Sequence, residues 1–351
     1  MRLRTRIVSF TAVAVIAVGV AACAPATGKD SPRPAKQAVI APTRPSATPS
    51  SPRPSATPSS PRPSVSPVIQ VAGAPGGVKA KGAVLADAAT GQVLWGSDLG
   101  TERPMASVTK VMTALLVLQG GNLGQQIRVP KAAFNYAWKY GGETASLRPG
   151  DQLTAQQLLA ALLLPSGADA AYTLANAYGP GMTAFVARMN ATAARMGMTH
   201  THFTSPDGLP YPTGTATYST PSDLLTLGLA AMRYPVFRSI VDLRFYHLPK
   251  GHGHHQYWWD NTDELIGSYQ GAMGIKTGYT DAALHCLLFE AARNGRTLIG
   301  VVLGSPPTGV AAGAQDAAKM RQMPRVSRPN DTASVAVPSA EYFSALVRLS
   351  L

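Results

Sequence analysis

A serine and a lysine with a spacing suited to acyl transfer lie in Met105–Leu118, MASVTKVMTALLVL. Ser107 and Lys110 are three residues apart, and residues i and i+3 share one face of a helix. A serine hydroxyl is a weak nucleophile until a base accepts its proton, and a lysine can do so when burial lowers its pKa. The pair alone also fits an ordinary polar helix start, so a second group must support it.

A second set of candidate residues lies in Met273–Ala283, MGIKTGYTDAA, just before two C-terminal apolar runs. Lys276 would supply positive charge near the nucleophile, and Thr277 follows it directly. Gly278 has no side chain, so we expect it to let a substrate backbone approach. The two segments are therefore candidates for a single site.

The flanking sequence predicts an antiparallel sheet made from both ends of the folded part. Gly82–Asp98 is predicted to form two strands around an Ala-Thr-Gly turn, and His285–Ser305 to form a hairpin at Asn294-Gly295. Helices are predicted between them, at Ser107–Gln119, Ala155–Leu164, Met182–Met196 and Pro221–Met232. This order predicts an α+β fold in which the first and last strands are neighbours in the sheet.

These motifs resemble the low-molecular-mass D-alanyl-D-alanine carboxypeptidases, a group of serine penicillin-binding proteins. The resemblance covers about Gly82 to Ser305 and includes, in order, RPMASVTKVMTALLVL, SLRPGDQLTAQQLLAALLLPSGADAA, FVARMNATAARMGMTHTHFTSPDGL, YSTPSDLLTLG and WDNTDELIGSYQGAMGIKTGYTDAA. It implies the β-lactamase/DD-peptidase fold, an antiparallel sheet flanked by helices with an inserted helical subdomain. It also implies peptidoglycan stem peptides as substrates and β-lactams as covalent inhibitors.

The resemblance implies a role for each residue of the site. Ser107 is the implied nucleophile and Lys110 the general base, while Lys276 and Thr277 bind the terminal carboxylate of the substrate. The backbone N–H groups of Ser107 and Tyr279 form the implied oxyanion hole, which stabilises a tetrahedral intermediate. Ser107 attacks the carbonyl between two terminal D-alanines, the last D-alanine leaves, and water hydrolyses the acyl-enzyme.

The segment Leu162–Ala171, LLLPSGADAA, departs from the family's middle motif, Ser-x-Asn. Ser166 stands at the serine position, where we expect it to relay a proton to the leaving amine, but Ala168 replaces the asparagine. An alanine side chain cannot form a hydrogen bond, so the loss is expected to cost about 2–4 kcal/mol, or about 10²–10³-fold in activity. Asp169 is one position away and is expected to point elsewhere.

Two alternatives stay open at this point. The departure at Ala168 motivates the first, a degenerate domain that binds wall peptides or β-lactams with weak turnover. The second is a β-lactamase, which ranks lowest because nothing in the chain resembles the acidic deacylating segment of class A enzymes.

The sequence predicts neither a metal nor a cofactor. His252, His254 and His255 cluster in GHGHHQYWWDN, but no carboxylate or cysteine stands at ligand spacing. We therefore expect a turn ahead of a strand that borders the site. Cys286 lies in an apolar run and is expected to be a small core residue.

The N-terminal residues predict export. The stretch MRLRTRIVSFTAVAVIAVGVAAC has three arginines, an apolar run from Ile7 to Ala22 and small residues directly before Cys23. It resembles a bacterial lipobox, so residues 1–23 are predicted to be a signal peptide with Cys23 as the lipidated residue. The alternatives are an ordinary signal peptide or a short membrane anchor, and each of these also exports the rest of the chain. The lipid would hold the chain at the outer face of the cytoplasmic membrane.

Composition predicts the remaining boundaries. Residues 24–77 are rich in Pro, Ser and Thr and contain RPSATPSSP twice, which predicts a disordered linker that reaches into the cell wall. The catalytic domain is predicted at 78–319 and a disordered tail at 320–351. The net charge of +13 is concentrated outside this domain, since residues 1–67 alone hold nine Lys or Arg and one Asp. That distribution argues against a nucleic-acid partner.

Overall fold

The central element of the computed structural model is a five-stranded antiparallel sheet built from strands at both ends of the described chain. The structure describes residues 77–293, 295–306 and 312–321, which belong to one compact unit within Ser64–Leu351. In chain order the strands are β1 (Gly82–Asp87), β2 (Val93–Ser97), β3 (Arg103–Pro104), β4 (Gln126–Arg128), β5 (Gln152–Thr154), β6 (Tyr218–Ser219), β7 (Phe245–Leu248), β8 (Tyr257–Asp260), β9 (Ala272–Thr280), β10 (Leu284–Arg293) and β11 (Arg296–Ser305).

The five long strands lie in the order β2-β1-β11-β10-β9. Strands from the two ends of the domain therefore pair within one sheet. In the β1–β11 pair, Gly82 lies opposite Leu303 and Asp87 opposite Leu298. The predicted proximity of the first and last strands is confirmed. Three two-stranded ribbons, β3–β6, β4–β5 and β7–β8, surround this sheet. Strand β9 forms one edge of the sheet and is therefore free to border a groove.

The helices supply the larger core. They are α1 (Lys110–Gly120), α2 (Lys131–Lys139), α3 (Ala155–Leu163), α4 (Ala168–Tyr178), α5 (Met182–Arg195), α6 (Pro221–Ala231), α7 (Pro235–Val241) and α8 (Ala312–Arg321). Every residue of α1 from Lys110 to Leu118 is buried, which is expected for a helix that is apolar on all sides. Residues of α1 pack with Ile299 and Val301 of the sheet in this core. On the opposite face, Ala317 of α8 packs with Phe289 in a second, smaller core.

Local signals explain where several helices begin. Thr154 accepts a hydrogen bond from Gln157 N while the Gln157 side chain accepts from Thr154 N, so a complete capping box starts α3. Thr220 caps α6, and Pro221 occupies its first turn. The four helices predicted from the sequence are present as α1, α3, α5 and α6, each ending within about two residues of the expected position.

Two predictions need correction in detail. Ser107 lies in a 3-10 turn, Ala106–Thr109, and the α-helix begins only at Lys110. Helix α8 continues to Arg321, two residues past the predicted end of the domain at residue 319. The signal peptide, Cys23, the linker up to residue 76 and the tail from residue 322 lie outside the described residues.

Within the described part of the chain, no single helix is both long and apolar enough to cross a membrane. Helices α6 and α7 meet the length and composition requirement when they are taken together, but the two helices are bent by 110° at the break between them.

Candidate active site

Ser107 and Lys110 are in direct contact. The 3-10 turn places residues i and i+3 one above the other, and Lys110 Nζ donates a hydrogen bond to Ser107 Oγ at 2.9 Å. Ala106, next to the serine, has a φ of +47°, a strained value for a residue with a side chain. The predicted pair is therefore present, on a backbone that differs from the expected α-helix.

The surroundings of Lys110 favour its neutral form. Its side chain is buried, and this desolvation lowers its pKa from 10.5 to about 8, although the nearby carboxylates of Asp207, Asp169 and Glu143 oppose the shift. Lys110 Nζ also donates to the backbone oxygen of Asp207 at 3.0 Å. A lysine held against a serine hydroxyl and partly neutral near pH 8 can accept the hydroxyl proton.

A second buried lysine lies at the sheet edge. Lys276 of β9 is buried, and desolvation together with the charge of Lys110 lowers its pKa to about 7. Its Nζ lies 3.4 Å from Thr277 Oγ1 and 3.5 Å from Thr262 Oγ1, and the two threonine oxygens are 2.6 Å apart. Lys276, Thr277 and Thr262 therefore form one polar group able to hold an anion, in addition to the carboxylates of Asp263 and Glu143 that already act on Lys276.

Gly278 lies against the turn that carries Ser107. A Cβ at this position would lie 2.8 Å from the backbone oxygen of Met105 and 3.1 Å from Ser107 N. In this direction the backbone that approaches Gly278 is the protein's own nucleophile turn, and the approach of a substrate backbone to Gly278 stays a prediction. Glycine lets β9 pack directly against the turn that carries Ser107.

Tyr279 follows Gly278 at the exposed end of this contact. Its ring is 52% exposed and lies 4.7 Å from the ring of His285, and its hydroxyl donates to Asp281 at 3.3 Å. The backbone N–H of Tyr279 as an oxyanion donor stays a prediction.

Ser166 lies at the corner between α3 and α4. Pro165 precedes it, its φ is +64°, and its side chain is buried. Its Oγ has no hydrogen-bond partner among the described residues. The hydroxyl is therefore available to hydrogen-bond to a bound substrate.

Ala168 begins α4 and is fully buried. Its N–H donates to Glu143 O at 2.8 Å, and a Cβ on Gly142 would lie 2.9 Å from its own Cβ. The loop before Ala145 therefore covers position 168 closely. Lys110, which the missing asparagine would contact in the family, has the Asp207 carbonyl as acceptor here.

Asp169 points elsewhere, as expected from its position one residue after Ala168, and its carboxylate binds the loop before β5. Its carboxylate accepts hydrogen bonds from Thr144 Oγ1 at 2.6 Å, from Ala145 N at 2.9 Å and from Leu147 N at 2.9 Å. It thereby fixes the loop that precedes β5 against the start of α4.

Sequence reasoning missed three residues of the site. Asp207 is fully buried, and its Oδ1 accepts from Ser205 Oγ and Leu209 N, which orients the loop whose carbonyl meets Lys110. Thr262 contacts the Lys276–Thr277 pair. Glu143 acts electrostatically on both lysines. Asp207 and Thr262 lie in TSPDGL and WDNTDEL, which the sequence analysis used only as motifs of the resemblance. Their contacts with Lys110 and Thr277 are long-range, so no local pattern predicts them.

The other noted residues have structural partners. His255 Nδ1 lies 2.9 Å from Asp151 Oδ1, and His254 Nδ1 lies 2.8 Å from His255 O. Trp259 is buried and donates to Ala145 O at 2.8 Å. Cys286 is buried in β10 and opposite Gly278, so its expected core position is confirmed.

Comparisons with known proteins agree with this geometry. The peptidase S11 family model, described as D-alanyl-D-alanine carboxypeptidase, matches residues 69–307. The chain is 39% identical over 243 residues to the D-alanyl-D-alanine carboxypeptidase of Streptomyces sp. (strain K15), covering 66% of this chain and 82% of that protein. It is 41% identical over 230 residues to DacB2, a D-alanyl-D-alanine carboxypeptidase of Mycobacterium tuberculosis, covering 64% and 76%.

A solved structure extends the match to three dimensions. The crystal structure of the Streptomyces K15 DD-transpeptidase superposes with a TM-score of 0.65 at 38% identity, over 70% of this chain and 96% of that one. The family model, the two relatives and the fold all indicate the same family of DD-peptidases. The chain therefore belongs to the D-alanyl-D-alanine carboxypeptidase family of serine peptidases, peptidase S11.

Proposed function

We propose that the chain removes the terminal D-alanine of peptidoglycan stem peptides through an acyl-enzyme at Ser107. The contact of Lys110 Nζ with Ser107 Oγ at 2.9 Å is the observation that carries this proposal. Lys276 and Thr277 hold the terminal carboxylate and so place the scissile carbonyl at Ser107.

The chemistry proceeds in two steps. Ser107 Oγ bonds to the carbonyl carbon while its proton passes to Lys110 Nζ. The C–N bond then breaks, and Ser166 relays the proton to the leaving amine, which departs as D-alanine. In the second step a water molecule gives a proton to Lys110 and its oxygen bonds to the acyl carbon. The ester C–O bond then breaks as Lys110 returns the proton to Ser107 Oγ.

A labelled penicillin and a stem-peptide analogue test this proposal. Wild-type protein is expected to bind the label covalently and to release D-alanine, because both ligands carry a carboxylate for Lys276. Ser107→Ala should lose both reactions. Label on the Ser107→Ala variant, or no D-alanine release by the wild type, would contradict the assignment.

We infer that the chain is exported and anchored by lipid at Cys23. Three N-terminal arginines, the apolar run and the small residues before Cys23 support this, as does a family match that begins only at residue 69. Growing cells on a labelled fatty acid should label the wild type in the membrane fraction and leave Cys23→Ala unlabelled. Equal labelling of both would exclude Cys23 as the anchor.

A further inference from the structure

A polar cleft of about 470 Å³ opens beside the proposed catalytic groups. Pro165, which precedes Ser166, lines one part of it, and Thr262, which contacts Thr277, lines another. The cleft thus begins where the carboxylate of the leaving residue would bind. It therefore lies on the leaving-group side of Ser107.

One wall of the cleft is a preorganised loop, Glu143–Arg148. Asp169 binds its backbone at two N–H groups, and the indole N–H of Trp259 binds Ala145 O. Ser146 has a φ of +56°, another strained value. The Tyr257 hydroxyl accepts from Arg148 N at 2.9 Å and so ties the loop to β8, the opposite wall. A wall held this way keeps its shape without a ligand.

The volume exceeds what D-alanine needs. The leaving D-alanine carries only a methyl group, whereas the cleft extends from Thr262 along β8 to the exposed ring of Trp258 and to Asp260. A longer side chain on the leaving residue would fill it, while its amine and carboxylate kept the positions of those in D-alanine.

The charges in the cleft favour a cation. Glu143 and Asp260 contribute two carboxylates and Arg148 one guanidinium, and none of them forms an ion pair with another described residue. Trp258 Nε1 donates to Asp260 Oδ1 at 3.3 Å, and its ring stacks on Phe245 with 4.6 Å between the ring centroids. One net negative charge from these three side chains suits an ammonium group.

We propose that this cleft is a leaving-group subsite for D-amino acids whose long side chain ends in an ammonium group. The inference rests on the proposed function, since it uses the same acyl transfer to Ser107. The amide C–N bond breaks, Ser107 Oγ forms the ester, and the relayed proton goes to the amine of the larger residue. The chain thereby acts on D-alanyl bonds to residues other than D-alanine.

Four stem-peptide analogues that differ only in the C-terminal residue test the proposal: D-alanine, D-lysine, D-norleucine and D-glutamate. The measured quantity is kcat/KM for release of that residue. We expect D-lysine to be released about 10-fold faster than D-norleucine, which has a chain of similar length without the charge, and D-glutamate to be the slowest.

Variants with opposite expected signs sharpen the test. Glu143→Gln and Asp260→Asn should each lower the D-lysine to D-norleucine ratio about threefold or more, whereas Arg148→Gln should raise it. Both substrates are compared in the same variant, so any effect of Glu143 on Lys110 and Lys276 cancels in the D-lysine to D-norleucine ratio. Glu264→Gln, an exposed carboxylate outside this cleft, is the matched control and should leave the ratio unchanged.

Two outcomes would overturn the proposal: equal release of D-lysine and D-norleucine by the wild type, or a ratio unchanged in all three cleft variants. Release of D-alanine without release of either long residue would overturn this proposal alone. Failure to release any of the four residues would instead overturn the proposed function.

Discussion

Lys110 is the residue whose environment decides when Ser107 can react. Burial favours its neutral form, and the Asp207 carbonyl holds the amine against the serine hydroxyl. Lys276 is also buried close by, and a bound carboxylate would raise its pKa and keep it charged. In the proposed mechanism the two lysines therefore take opposite protonation states during acylation, one as a base and one as a binding cation.

The protonation of Lys110 predicts a pH dependence. With penicillin saturating, so that Lys276 stays paired, the acylation rate constant should rise with pH through about 8, because only neutral Lys110 accepts the serine proton. Lys110→Arg should be at least about 100-fold slower at every pH, since a guanidinium stays protonated. Stopped-flow fluorescence with a labelled penicillin gives both results. A flat profile between pH 6.5 and 9 would argue against Lys110 as the base.

The small side chain at position 168 matches the close packing of the loop above it. Gly142 and Glu143 cover it, and the acceptor for Lys110 is the Asp207 carbonyl. The hypothesis of a degenerate site started from the missing asparagine, but Ala168 is fully buried and its Cβ packs against Gly142.

We therefore expect Ala168→Asn to destabilise the protein without accelerating acylation. Overpacking of a buried position costs about 1–3 kcal/mol, which a thermal melt would show as a lower Tm. Ala132→Asn, at an exposed position of α2, is the matched control and should change the Tm little. An unchanged Tm with acylation about 10-fold faster in Ala168→Asn would revive the degenerate-site hypothesis.

At the scale of elements, the site depends on how closely β9 approaches the 3-10 turn. Their backbones meet at Gly278, where even a methyl group would lie 2.8 Å from the Met105 oxygen. This contact sets the position of Ser107 relative to Lys276, since each residue belongs to one of the two elements. A small displacement of β9 would therefore separate the nucleophile from the carboxylate site.

Gly278→Ala should lower the acylation rate about 100-fold, because β9 must retreat from the turn. Gly100→Ala is the control, since Gly100 has an ordinary φ and no heavy atom within 4 Å of an added Cβ. Second-order rate constants with labelled penicillin separate the two variants. If Gly278→Ala reacted as fast as Gly100→Ala, the close contact would have no part in positioning Ser107.

At the scale of the molecule, the two ends of the domain meet in the sheet. Strand β1 pairs with β11, and Lys79 N donates to Asp316 Oδ1 of α8 at 3.0 Å, a contact across 237 residues of sequence. Every candidate catalytic and substrate-binding residue lies between these ends. The domain should therefore fold and react without the residues outside it.

A polypeptide of residues 77–321 is expected to react with labelled penicillin at a rate within about twofold of the full-length chain. The shorter polypeptide keeps β1, α8 and the whole site, so its Tm should match as well. A polypeptide starting at residue 99 lacks β1 and β2 and should not fold. Loss of acylation in 77–321 would assign a catalytic contribution to the removed segments.

The sequence by itself determined the features that depend on interactions between neighbouring residues. The three-residue spacing of Ser107 and Lys110, the terminal hairpins and the four long helices follow from periodicity and turn chemistry, which act over a few residues. The motif order also determined the family and, with it, the candidate roles of Ser107, Lys276 and Thr277.

Only the tertiary structure decided the environment of those residues. The Asp207 carbonyl meets Lys110 across 97 residues, and Thr262 joins the Lys276–Thr277 pair from a separate loop. The lowered pKa values of both lysines arise from burial by elements remote in sequence. The approach of β9 to the Ser107 turn and the cover over Ala168 are likewise packing contacts. No local pattern encodes them, because they depend on which distant backbones the folded core brings together.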